Sequence, residues 1–140
     1  MGKHIIVGVD DSATAAHAAR VAADLARKLG AVLHVITACD DEVVTEVGVG
    51  SDQLVINKSD EAAEIAEGVA DSLRGGGLQV DSAARYGRPH EALIDEAKRY
   101  DDALIVVGNR RMQGPGRMLG SVANTVAHNA PCDVYVVKTT

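Results

Sequence analysis

The sequence predicts an α/β fold: a single doubly wound five-stranded parallel sheet with helices on both faces. Three observations carry this expectation. Short branched-aliphatic runs alternate with longer segments of helical period along the whole chain, in the order βαβαβαβαβ. The runs are of the fully apolar kind that suits strands covered by helices on both sides. Connections between one parallel strand and the next need a crossover of about a dozen residues or more, and the helical segments supply it. At 140 residues the chain is long enough for one aliphatic core, so a single domain spanning residues 1–140 is expected.

The first strand is the run at residues 4–9, followed by Asp10, Asp11 and Ser12. A helix fits from about Ala13 to Leu29, with Ala18, Ala22, Leu25, Ala26 and Leu29 on one face, Ser12 as its cap and Gly30 as its stop. The second strand is residues 32–36. Residues 40–58 have no sustained helical period and contain Gly48 and Gly50, which predicts a long loop or flap. From Ser59 the helical stripe Ala62, Ile65, Ala66, Val69, Ala70, Leu73 returns and ends at Gly75-Gly76-Gly77. A third strand spans residues 78–84, and Pro89 suits the first turn of a third helix that continues through Leu93, Ile94, Ala97 and Tyr100. Residues 102–107 form the fourth strand, Ser121 to Asn129 the fourth helix, and residues 134–137 the fifth strand.

Composition excludes several function classes. The formal net charge is −6, Phe and Trp are missing, and Tyr86, Tyr100 and Tyr135 are the only aromatics. Stacking platforms for single-stranded nucleic acid and a basic face for duplexes are therefore both lacking, and no nucleic-acid partner is expected. No secretory signal and no bilayer-spanning apolar run is readable, so a cytoplasmic protein without membrane attachment is expected. Cys39 and Cys132 have neither metal nor redox spacing and are expected to be reduced thiols at opposite edges of the sheet. The five histidines lack ligand spacing, which gives no metal site.

The most informative stretch runs from Val107 to Ser121. It joins the end of the fourth strand to the start of a helix through a loop holding Gly108, Gly114, Gly116, Gly120, Arg110, Arg111 and Arg117. Glycine lets backbone N–H groups approach phosphate oxygens, a helix beginning at Ser121 adds its unpaired N–H groups and positive dipole end, and arginines add full charges. In an open α/β sheet this loop lies at the carboxyl edge of the strands, where ligands collect. Asp10 follows the first strand to the same edge. Its carboxylate can accept from a ribose hydroxyl or an amine, hold a cation, or simply begin a helix. A phosphoacceptor receiver would need an aspartate after the third strand, where Tyr86-Gly87 stands. There is no Walker-type Gly-Lys-Ser/Thr loop, and Ser121 has no His/Asp partner for nucleophilic catalysis, so no catalytic residue is assigned.

From Ile5-Ile6-Val7-Gly8-Val9-Asp10-Asp11-Ser12 to Ala130-Pro131-Cys132-Asp133-Val134-Tyr135-Val136-Val137 the chain resembles the universal stress protein family. The nucleotide-binding members of that family carry G-x2-G-x9-G-[S/T] after strand four, and the corresponding run here is Gly108-x2-Arg111-x8-Gly120-Ser121. The resemblance implies strand order 3-2-1-4-5, a pocket for an adenine nucleotide (ATP foremost, with AMP and cyclic AMP as alternatives, and Mg²⁺ as a companion ion), and homodimers paired through the last strand. It implies that Asp10 and Val35 hold the adenosine part, that Gly8 and Val9 line the pocket, that Gly108 contacts ribose or phosphate, and that Gly120, Ser121 and Val122 bind phosphates. Arg111 stands where the signature has glycine, and the spacing is one residue short. A side chain there either obstructs the backbone's approach or supplies a guanidinium, as Arg110 beside it can. The function implied is a stress-linked sensor or regulator with an unidentified client protein. A homodimeric interaction protein of the same fold without nucleotide, or a slow ATP hydrolase, are the alternatives.

Overall fold

A computed structural model describes residues 3–39, 44–47, 54–109 and 120–138. Its central sheet has five strands, all parallel: β1 (His4–Gly8), β2 (Val32–Cys39), β5 (Val80–Tyr86), β6 (Ala103–Asn109) and β7 (Asp133–Lys138), in the order β5-β2-β1-β6-β7. Counting only these five along the chain, that order is 3-2-1-4-5. The helices are α1 (Ala13–Leu29), α2 (Lys58–Leu73), α3 (Pro89–Ala97) and α4 (Ser121–Asn129). None of the described helices is long and apolar enough to cross a membrane.

The strand alternation sorts the aliphatics onto two faces. Ile5, Val7, Leu33, Val35 and Val106 pack with the alanine stripe of α1 and with Ala66 and Ala70 of α2. Ile6, Ile36, Ile105 and Val107 pack with Ala92 and Leu93 of α3 and Ala123 and Val126 of α4. The alanines let α1 lie close to the strands; all five of its buried residues are alanine. Its ends are those the sequence predicts: Ser12 Oγ accepts the Ala15 N–H at 3.1 Å, and Gly30 closes the helix at φ 66°, a left-handed conformation that suits glycine.

Two expectations are corrected. Residues 40–58 were expected to be a loop, but they contain an antiparallel hairpin, β3 (Val44–Val47) with β4 (Leu54–Asn57), and α2 already begins at Lys58. Four-residue strands are too short to show a period against their surroundings, although both are rich in β-branched residues. The third helix was expected to run through Tyr100 but ends at Ala97. Arg99 N–H bonds to Glu96 C=O and Tyr100 N–H to Ala97 C=O, both i→i−3, and this tightened turn stops it.

That turn belongs to a polar cluster built around the buried His34 and Glu96. The rings of His4, His34 and Tyr100 stack with centroid separations of 4.1–5.1 Å, and His4 Nδ1 and His34 Nε2 are hydrogen-bonded at 2.9 Å. Tyr100 O–H donates to Glu96 Oε2 at 3.2 Å, while Arg85 Nε donates to Glu96 Oε1 at 2.7 Å and Arg99 Nη1 at 3.4 Å. Burial pushes the Glu96 carboxyl up, but the hydrogen bond and charge of Arg85, with the Arg99 charge and the tyrosine hydroxyl, bring it below the ordinary carboxylate value. For His34 burial prevails and lowers the imidazole, against the opposing pull of Asp81 at 3.7 Å.

Candidate functional site

A cavity of about 560 Å³ opens at the carboxyl edge of the sheet. It crosses three neighbouring strands: Ile36, Thr37 and Ala38 of β2, Gly8 with Val9 and Asp10 after β1, and Val107, Gly108 and Asn109 of β6. The first turns of three helices complete the wall, with Ser12 and Ala15 from the start of α1, Pro89, Ala92 and Leu93 from α3, and Gly120, Ser121, Val122 and Ala123 from α4. Parallel strands direct every strand-to-helix connection to this edge, which is why residues far apart in sequence converge here. The volume lies within the roughly 300–1,000 Å³ of small-ligand pockets.

Each wall has a local cause. The Asp10 side chain turns back on its own loop, and its Oδ1 accepts the Ser12 N–H at 2.8 Å; the residue is exposed, and Oδ2 faces no protein donor among the described residues. Gly8 lets α3 pack closely on β1, since a Cβ there would stand 3.1 Å from Leu93 Cδ2 and crowd that side chain. At the opposite wall, buried Asn109 accepts the Gly120 N–H on Oδ1 at 2.8 Å. That bond ties the carboxyl end of β6 to the start of α4. Gly120 as N-cap provides no side-chain hydrogen bond, and the first turn of α4 borders the cavity.

The predicted site residues Gly8, Val9, Asp10, Val107, Gly108, Gly120, Ser121 and Val122 all line this cavity. Val35 does not. It is fully buried in the α1 and α2 core, two residues before Thr37 on the same face of β2, so its side chain stops short of the cavity. Arg110 and Arg111, with Arg117, Gly114 and Gly116, lie outside the described residues.

Sequence reasoning missed Thr37, Ala38 and Asn109, because it ended β2 at Ile36 and the fourth strand at Val107. The structure continues these strands to Cys39 and Asn109. The extension matters for the backbone. The ladder between β1 and β2 ends at Gly8↔Ile36, and Val9 N–H bonds to Ile36 C=O at 2.8 Å. Two residues on, the peptide groups of Ala38 face the same side, past the end of that ladder. Cys39 ends β2 and Cys132 precedes β7, at opposite edges as expected, and neither is in a disulfide.

Among the described residues no group of three or more potential metal ligands occurs. Among the described residues the cavity wall carries one carboxylate, Asp10, the Asn109 amide, a few hydroxyls and backbone amides. Such a set can hold an organic anion by hydrogen bonds and a helix N-terminus.

Comparison with known proteins matches this arrangement. The profile of the universal stress protein family covers residues 1–138. Universal stress protein YxiE of Bacillus subtilis is 27% identical over 148 residues, which cover 99% of this chain and 100% of that protein. The crystal structure of a universal stress protein in complex with cAMP superposes with a TM-score of 0.71 at 26% identity, covering 99% of this chain and 98% of the other. A universal stress protein from Archaeoglobus fulgidus in complex with dAMP gives the same TM-score and identity over 97% and 98% of the two chains. With its sheet order, the site at the carboxyl edge and a family profile matched over nearly its whole length, the chain belongs to the universal stress protein family.

Proposed function

We propose that the cavity binds an adenine nucleotide and that the protein acts as a nucleotide-responsive regulator. The observation that carries this reading is the continuity of the cavity from β2, over β1, to the first turn of α4. Three adjacent strands span two inter-strand spacings, about 10 Å, which suits a nucleoside monophosphate laid across them. The relatives crystallised with cAMP and dAMP support the ligand class.

In this reading the phosphate lies beside Gly120, Ser121 and Val122, where the Ser121 and Val122 amides and the helix dipole favour an anion. Arg110 and Arg111, next in sequence after Asn109, add guanidinium charges for it. Gly108 permits close approach beside the ribose, and Asp10 accepts from a ribose hydroxyl. The base then falls between Val9 and Ile36, with the Ala38 peptide groups at its hydrogen-bonding edge. ATP is the fuller version of the same ligand. Its Mg²⁺ would arrive with the phosphates, since Asp10 is the only carboxylate on the described cavity wall.

Denaturing the natively purified protein and identifying the released small molecules by mass spectrometry tests the proposal, together with calorimetric titration of AMP, cyclic AMP and ATP. Recovery or binding of an adenine nucleotide is the expected result. Protein that carries none, and binds none at millimolar concentration, would return the fold to the role of an interaction protein.

A further inference from the structure

Thr37 is the one residue whose buried side-chain polar atom has no hydrogen-bond partner among the described residues. The residue is 5% exposed and lies on the cavity wall. By strand alternation it shares a face with Leu33 and Val35, at the point where the α1 core gives way to the cavity. A buried hydroxyl without a partner is destabilising, whereas valine has the same shape and no polar atom to satisfy. The residues that precede it on this face of β2, Leu33 and Val35, are aliphatic and fully buried, so a hydroxyl here departs from the pattern of the core beneath it. Unsatisfied buried polar atoms are rare in folded proteins, and one on a cavity wall is placed to be completed by what the cavity holds.

We infer that Thr37 is a ligand-contact residue whose hydroxyl completes its hydrogen bonding on the base of the bound nucleotide. The inference rests on the nucleotide reading and adds to it the group that meets the base from the α1 side. Position decides which part of the ligand is involved. Thr37 belongs to β2, two strands away from β6 and the first turn of α4 that receives the phosphate. At that distance only the base reaches it. A hydroxyl both donates and accepts, so it can donate to a ring nitrogen of a purine or accept from its exocyclic amine.

The test is calorimetric titration of AMP and of ribose 5-phosphate, which lacks the base, into the parent, Thr37→Val and Thr37→Ser, with thermal unfolding of each. The expected result is a roughly three- to tenfold loss of AMP affinity in Thr37→Val, the range for a neutral hydrogen bond. Thr37→Ser should hold AMP affinity within about twofold, ribose 5-phosphate should bind parent and variants alike, and Thr37→Val should unfold no earlier than the parent. Should Thr37→Val be poorly folded, Thr37→Ala carries the same expectation for AMP and ribose 5-phosphate affinity. Equal AMP affinity in parent and Thr37→Val overturns the inference alone, and so does an equal loss for both ligands, which would mark a structural role. A parent that binds no adenine nucleotide overturns the inference together with the proposed function.

Discussion

Arg85 and Arg99 both reach the Glu96 carboxylate, yet their contributions should differ. Glu96 has only 2% of its side chain exposed, Arg85 35% and Arg99 56%. Removing the closer and better-buried partner leaves a desolvated carboxylate short of its main donor. Arg85→Ala is therefore expected to cost about 2–4 kcal/mol in denaturant unfolding, and Arg99→Ala less than about 1 kcal/mol. Equal costs would show that the cluster shares its charge evenly. The neighbouring imidazole sets a pH dependence. His34 has its value lowered in the fold, so its contribution is complete above the ordinary histidine value of about 6.5 and declines as pH falls below it. Glu96, also lowered, keeps its contribution above about 4.3 and loses it below. The unfolding temperature should thus fall in two stages on acidification, and His34→Phe should abolish the first. A parent profile flat between pH 7 and 5.5 would contradict this. Residue by residue, Asp10, Gly108, Gly120 and Ser121 were legible because a glycine or carboxylate at a strand's end has a chemical reason to be there. Thr37 and Ala38 were not, since nothing in the run Ile36-Thr37-Ala38-Cys39 marks where a strand stops. Val35 lies one step deeper than the cavity wall, since a resemblance fixes a position along the chain but not how far its side chain reaches.

Among the elements, the junction of β6 and α4 is the one on which the site depends. Asn109 ends the strand, Gly120 begins the turn into the helix, and one hydrogen bond joins them. Glycine at 120 suits this junction, since a Cβ would stand 3.1 Å from Asn109 Oδ1 and crowd the amide it accepts from. Asn109→Ala removes the acceptor and leaves a space at a buried position. It is expected to lower stability by about 1–2 kcal/mol and to weaken AMP binding with it, as calorimetry and chemical denaturation on the same preparation would show. Unchanged binding would mean that other contacts position α4. Helix bounds were largely readable from caps and stops, as Ser12, Gly30 and Pro89 show. The hairpin of β3 and β4 was not, because its strands make a single four-pair ladder with no alternation long enough to detect.

For the whole molecule, β7 is an edge strand of the sheet. Tyr135 is exposed and Val134 and Val136 are half-buried, with charge only at the ends in Asp133 and Lys138, so nothing in the middle of the strand discourages pairing with a second copy. A two-fold dimer through β7 is expected in light scattering at micromolar concentration, and Val136→Pro, checked for folding by circular dichroism, should shift it toward monomer. A parent of monomer mass would contradict the expectation. The sheet order was legible at this scale because five strands and four connecting helical or loop segments matched a family pattern end to end. The depth of the cavity was not, because it depends on how far β2 and β6 run past β1. The most direct test of the account is a crystal structure of the protein grown with AMP. The account predicts phosphate oxygens within hydrogen-bond distance of the Ser121 and Val122 amides, a ribose hydroxyl on Asp10 and the base beside Ile36, Thr37 and Ala38. A nucleotide bound elsewhere, or an empty cavity at millimolar AMP, would contradict it.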